Sequence, residues 1–198
     1  MKKALIIIDL QNDFTRDGGL EVPEGNEIIP EVNRLQEEFD IIIATQDWHP
    51  PNHGSFASNH PGKKAFDVDE LNGLEQVLWP DHCIQGSRGA EFHPELKTEK
   101  IQAIIRKGMD PGIDSYSGFF DNGHRKSTGL SGFLKGLEIE NLFFCGLAAD
   151  YCVYYSIKDA LSEGFHCTLF LNGTRPISSD NFDKIKEELK EKGVQLIN

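Results

Sequence analysis

Six short apolar runs recur along the chain, and none of them alternates with polar residues: Ala4–Ile8, Ile41–Thr45, Ala103–Arg106, Leu142–Cys145, Cys167–Leu171 and Val194–Ile197. A strand with one wet face alternates apolar and polar residues. A strand buried on both faces does not, and it belongs to a parallel sheet covered by helices. Between the runs lie stripes of helical period. Ile28, Ile29, Val32, Leu35 and Phe39 form one, with Pro30 tolerated in its first turn. Val153, Ile157, Ala160 and Leu161 form a second, closed by Gly164, and Phe182, Ile185 and Leu189 a third, closed by Gly193. Strand and helix in turn predict an α/β protein: a three-layer α/β/α sandwich with a mostly parallel six-stranded sheet, doubly wound and Rossmann-like. Residues 1–198 are expected to form a single domain, without repeat, low-complexity segment or linker.

One stretch departs from this rhythm. From about 50 to 100 no strand is expected and helical periodicity is weak, while Pro, Gly, His, Asn and aromatic residues abound. Loops beyond ~12–15 residues are usually functional or disordered, and the His and Trp residues here favour function.

Charge narrows the function classes. The net charge of −12 argues against a nucleic-acid-binding face, which needs clustered Lys and Arg. The apolar run at the start ends at Asp9, short of the ~7–15 apolar residues of a signal-peptide core, and is expected to be a buried first strand. No run approaches the ~20 apolar residues of a membrane span, so a cytoplasmic protein is expected. The cysteines, Cys83, Cys145, Cys152 and Cys167, contain no C-x-x-C pair and are too sparse for a disulfide framework. Cys145 and Cys167 fall inside strand-like runs and are expected to be inert buried thiols.

Ligands of an open parallel sheet bind beyond the carboxyl ends of its strands. Asp9 follows the first run, Asp47 and His49 the second, Lys107 the third, and Cys152 opens a helix after the fourth. With Asp150 as helix cap, Cys152 falls in the first turn, where unpaired N–H groups and the helix dipole favour a thiolate. A free thiol has a pKa of ~8.5, so a base is needed; Asp9 can supply it, and Lys107 can hold the charges together. Asp47 and His49, two apart at the end of a strand, project to one face and can reach one ion. His53 follows, and His82 lies in Trp79-Pro80-Asp81-His82. Carboxylate and imidazole together suit Zn²⁺, Fe²⁺ or Mn²⁺. His60, His93, His124 and His166 have no such company and are read as surface or core residues.

The segments ALIIIDLQNDF, TQDWHPPNHGSFA, LWPDHCIQGSRGAEFHPEL, RKGMDPGIDSYSGFFDN and CGLAADYCV resemble the bacterial nicotinamidase/pyrazinamidase branch of the isochorismatase-like (cysteine hydrolase) superfamily, nearly end to end. The resemblance implies a metal-assisted amidohydrolase that converts nicotinamide, and pyrazinamide as well, to the carboxylate and ammonia through a cysteine thioester. It implies Cys152 as nucleophile, Asp9 as general base and Lys107 as third catalytic member, with an oxyanion hole from the N–H groups of Ala148 and Cys152 and a cis peptide at Leu147–Ala148. It further implies one divalent metal ion, zinc ahead of iron or manganese, on Asp47, His49 and His82. His53 matches a histidine that is a ligand in some members only. Phe14 and Trp79 match aromatics that sandwich the pyridine ring, and Tyr151 stands at a variable position. A small-molecule substrate is the expected partner, with no nucleic acid or membrane; a homo-oligomer is compatible with the sequence. Two rivals remain open on the sequence. A metal-free isochorismatase-like or N-carbamoyl amide hydrolase would not need Asp47, His49 and His82, and a non-catalytic metal-binding member would not need Asp9, Lys107 and Cys152.

Overall fold

The computed structural model describes residues 2–198. Strand β1 (Lys2–Ile8) leads to helix α1 (Ile29–Leu35) and strand β2 (Ile42–Asp47). A hairpin of β3 (Val68–Leu71) and β4 (Leu74–Val77) precedes β5 (Ala103–Lys107). Then follow α2 (Leu130–Gly136), β6 (Ile139–Leu147), α3 (Tyr154–Ser162), β7 (His166–Arg175), α4 (Ser179–Glu191) and β8 (Gln195–Ile197). Six strands form one sheet in the order β5-β2-β1-β6-β7-β8, every pair parallel. The expected sandwich is the observed one.

Side-chain alternation along β1 divides the core. Ala4, Ile6 and Ile8 pack under α2, α3 and α4; Leu5 and Ile7 pack under α1 and the segment carrying Trp79, Cys83 and Ala90. The long stretch thus covers part of one sheet face. It is also not strandless, which corrects the sequence reading: β3 and β4 pair antiparallel about Asn72-Gly73, whose positive φ values of 50° and 82° suit a tight hairpin turn. The stripe from Ile28 to Phe39 is α-helical only over Ile29–Leu35, with 3-10 turns at Gly25–Ile28 and Gln36–Glu38. Helix α2 lies outside the expected stripes: Gly132 and Gly136 depress helix propensity, and its burial of Leu130 and Leu134 compensates.

The chain runs outward from β1 through β2 to β5, then returns across the sheet to β6 and continues to β8. The reversal lies between β1 and β6, so a crevice opens above their carboxyl ends. Gly146, at φ 110°, makes this close pairing feasible: a Cβ there would lie 2.0 Å from the Ile8 carbonyl oxygen.

Candidate active site

Four strand ends converge on the crevice. Asp9 follows β1 directly, in the left-handed region at φ 43°, a conformation that Asp tolerates better than most residues. Asp47 closes β2 and is the registered neighbour of Lys107, which closes β5. Cys152 lies beyond β6, in a π turn (Ala149–Val153) that runs into α3.

Lys107 is the hub. Its ammonium lies 2.5 Å from Asp47 Oδ1, 2.8 Å from Asp9 Oδ2, 2.9 Å from the Ser115 carbonyl oxygen and 3.4 Å from Cys152 Sγ. Three N–H groups serve four neighbours, so the lysine is held on every side. Asp9 Oδ1 accepts a hydrogen bond from Thr45 Oγ1 at 2.6 Å. Its Oδ2 touches the ammonium but has no aligned hydrogen bond. A carboxylate oxygen of Asp9, one of Asp47 and the Cys152 sulfur lie within 4.8 Å of one another.

Burial and charge set the protonation states. Burial raises the pKa of Asp9; Lys107 offsets part of this and Asp47 adds to it, leaving the carboxyl above its ordinary range. Burial acts on Asp47 in the same sense, but Lys107, His49 and His82 outweigh it and keep that carboxylate ionised. Burial would discharge Lys107, yet the two carboxylates hold its pKa well above normal. Burial also drives the Cys152 thiol well up, opposed only in part by Lys107. Burial thus holds Cys152 toward the thiol, against the pull that its place at the helix start exerts toward the thiolate. Asp150 is not the helix cap. Its carboxylate accepts from the backbone N–H groups of Ile177 (2.8 Å) and Ser178 (2.9 Å), tying the turn that carries Cys152 to the loop before α4.

On the other side of Asp47, Oδ2 lies 3.6 Å from His49 Nε2 and 3.9 Å from His82 Nε2. His49 Nδ1 donates to the Gly108 carbonyl oxygen at 2.9 Å, and His82 Nδ1 to that of Pro80 at 2.8 Å. Both Nε2 atoms thus face Asp47 Oδ2, converging as the ligands of one divalent cation would. Burial disfavours charge on His49, but Asp47 outweighs it and raises the pKa of that imidazole, so an ion bound here would displace its Nε2 proton. Burial, with His49 nearby, lowers the pKa of His82 to about 4, so its imidazole is neutral at neutral pH. Gly108 is essential to this packing: at φ 65°, its Cβ would lie 2.3 Å from His49 Cε1. His53 differs. Its Nδ1 accepts the Ser55 N–H at 3.2 Å and lies 2.7 Å from Ser55 Oγ, while its buried Nε2 has no partner. His53 and His49 offer nitrogens within 4.8 Å of an oxygen of buried Asp114.

A pocket joins the two halves. Phe14, Trp79, His49, His82, Asp47, Ala148 and Cys152 all border it. It is narrow, with about 20 Å³ free, so a planar ring entering between Phe14 and Trp79 has to part its walls. Leu20, Asp114, Tyr116, Tyr151 and Ile177 complete the wall, and the sequence reading assigned none of them to it. Tyr151 meets Trp79 edge-on at 4.9 Å, and the Trp79 indole N–H donates to Tyr116 Oη at 3.3 Å. The available signal was the run Asp114-Ser115-Tyr116, close after Lys107 in a stretch without periodicity. The Leu147–Ala148 peptide is cis, as the resemblance implied, and the Ala148 carbonyl accepts from the N–H groups of Tyr151 and Val153.

Residues 3–198 match the isochorismatase domain. The chain is 47% identical to the nicotinamidase of Escherichia coli (strain K12) over 180 residues, 89% of this chain and 84% of that one. A solved Acinetobacter baumanii nicotinamidase pyrazinamidase superposes with a TM-score of 0.96 at 42% identity, covering 100% of this chain and 96% of its own. A pyrazinamidase of Pyrococcus horikoshii, solved in complex with zinc, superposes at 0.83 with 35% identity, covering 100% and 99%. A buried Cys-Asp-Lys cluster at the switch point of a parallel sheet, on a chain matched almost throughout, makes this protein a member of the isochorismatase family.

Proposed function

We propose that the protein is a nicotinamidase, hydrolysing nicotinamide, and pyrazinamide as well, to the carboxylate and ammonia. The observation that carries the reading is the placement of Cys152 Sγ 3.4 Å from the Lys107 ammonium, within 4.8 Å of carboxylate oxygens of Asp9 and Asp47, at the foot of an aromatic pocket.

The reaction divides into two transfers. Asp9 takes the Cys152 proton as sulfur attacks the carboxamide carbon, and Lys107 balances the charge that appears. The N–H groups of Ala148 and Cys152 stabilise the oxyanion. Asp9 returns the proton to nitrogen, the C–N bond breaks, and ammonia leaves a thioester on Cys152. Asp9 then accepts a proton from water as its oxygen attacks the thioester. The C–S bond breaks, Asp9 returns its proton to the sulfur, and the product acid leaves as the carboxylate, its own proton passing to ammonia or solvent. The raised pKa of Asp9 suits it to both directions of this traffic.

Asp47, His49 and His82 fit a divalent cation by donor type and tautomer, and zinc is the ion we assign. When bound, the ion supplies a Lewis-acid anchor for the ring nitrogen, orienting the ring between Phe14 and Trp79. His53 is assigned outside the direct ligands, because its nitrogens cluster with Asp114 and His49 and not with Asp47 and His82. The aromatic walls and the metal-ligand set favour this reading over a metal-free family member. Intact Asp9, Lys107 and Cys152 favour it over a non-catalytic one. The test is ammonia release from nicotinamide, pyrazinamide and benzamide, with mass spectrometry of acid-quenched enzyme. A nicotinoyl adduct on Cys152, absent in Cys152→Ala together with turnover, is the expected result. Sustained turnover by Cys152→Ala would overturn the assignment.

A further inference from the structure

The segment Gln11-Asn12-Asp13 follows Asp9 almost directly, yet neither Gln11 nor Asp13 borders the ring pocket. Gln11 is fully buried, and its amide makes three hydrogen bonds. Its Oε1 accepts the Asp47 N–H at 2.8 Å, and its Nε2 donates to the Asp47 and Ala90 carbonyl oxygens, each at 2.8 Å. One side chain thus grips both backbone groups of Asp47, acting as an extra rung beyond the end of β1. Asp13 does the corresponding work two residues on. Its Oδ2 accepts the N–H of Cys83, the residue after His82, at 2.7 Å, and its Oδ1 accepts that of Gly19 at 3.0 Å. Cys83 sits at φ 47°, in the left-handed region, a strained conformation that an outside bond must hold. Gly89 leaves the space for the carboxylate: a Cβ there would lie 1.9 Å from Asp13 Oδ2. Asn12 closes the seam, its N–H bonding the Glu91 carbonyl oxygen at 3.0 Å and its side chain that of Arg88 at 2.8 Å.

We propose that Gln11 and Asp13 are positioning residues for the cation site: Gln11 sets Asp47, Asp13 sets His82 through Cys83, and neither touches ion or substrate. The inference rests on the assignment of Asp47, His49 and His82 as ligands. It explains why the first strand is followed by a buried amide and a carboxylate fully used on backbone N–H groups. Polar side chains so placed fix geometry, and removing such outer supports typically costs roughly 10–100-fold in metal affinity. The two residues differ in reach. Asp47 also carries Lys107, so Gln11 acts on both halves of the site. Asp13 has no bond to Asp9, Asp47, Lys107 or Cys152, so it acts on the cation half alone.

That difference makes the test. Purified wild type, Gln11→Leu, Gln11→Glu and Asp13→Asn are titrated with Co²⁺, reading its visible absorption band and dissociation constant. The iodoacetamide alkylation rate of Cys152 is measured before Co²⁺ is added, and circular dichroism checks the fold. Asp13→Asn should weaken Co²⁺ roughly 10–100-fold and alter the band, with alkylation at the wild-type rate. Both Gln11 variants should change Co²⁺ binding and alkylation together; Gln11→Glu keeps the size of the side chain and decides the matter if Gln11→Leu does not fold. Wild-type bands and affinities in folded variants would overturn the proposal. So would an Asp13→Asn effect as large on alkylation as on Co²⁺. Failure of the wild type itself to bind Co²⁺ would refute the ligand assignment first, and the clamp with it.

Discussion

Replacing Lys107 with Met keeps most of the side-chain volume and removes the charge. It strands two buried carboxylates, which face the ammonium at 2.8 Å (Asp9) and 2.5 Å (Asp47) in the native protein. Removing one partner of a buried ion pair typically costs about 3–5 kcal/mol, because the remaining charge is left without compensation. Here the cost is capped by protonation, since a carboxyl that loses its cation takes up a proton. In the variant both carboxyls should have folded pKa values above their unfolded value of ~3.9. A group raised on folding stabilises below its unfolded pKa and loses that contribution as pH rises through the folded one. Lys107→Met should therefore trail wild type by about 3–5 kcal/mol near pH 8, with the gap narrowing steadily toward pH 5. Urea unfolding of chelator-treated protein across this range is the assay. A gap below about 1 kcal/mol, the size of a surface pair, would refute the reasoning. So would a gap that does not depend on pH.

Three further outcomes follow from the site. The acid limb of kcat/KM should lie above the ordinary carboxylate value, because burial raises Asp9; activity falls as pH drops through it, and Asp9→Asn should lose orders of magnitude in rate together with that limb. His49→Ala or His82→Ala should lose the bound metal, measurable by mass spectrometry, and should cost nicotinamide hydrolysis ~10²-fold or more, since misplacement by ~1 Å can cost that much. Benzamide, which has no ring nitrogen, should be slower at the outset and lose proportionally less; equal losses on both amides would remove the anchoring role. Gly108→Ala should disturb His49, because the new methyl meets the imidazole at 2.3 Å; unchanged metal affinity in that variant would contradict the packing described for His49.

The sheet was legible because strands buried on both faces carry no polar alternation. The same logic led from strand ends to Asp9, Asp47, Lys107 and Cys152. Strand limits were less legible where the ends turn polar: β7 runs to Arg175 through Asn172 and Thr174, past the apolar run that announced it. The β3–β4 hairpin escapes a reading by pattern although Asn72-Gly73 marks its turn, because its strands are short, acidic and half-exposed, without an apolar face to betray them. The walls Tyr116 and Tyr151 and the tie from Asp150 to Ile177 and Ser178 depend on contacts between distant segments, which periodicity does not encode. The extent to which burial raises the Cys152 pKa was not legible for a related reason: helix position is local, whereas burial belongs to the whole fold.

The carboxylate of Asp47 has two oxygens, and they face opposite ways. Oδ1 serves the lysine beside Cys152, and Oδ2 serves the imidazole pair. Any change that acts through Asp47 therefore reaches both halves of the site. By reciprocity of coupling, whatever free energy an occupant of one half transmits through Asp47 must be felt with equal size by an occupant of the other. A variant designed to dispense with the cation by replacing Asp47 would also withdraw a counter-charge from Lys107. It would have to supply a new one in the same step, or give up the charge balance on which the cysteine depends.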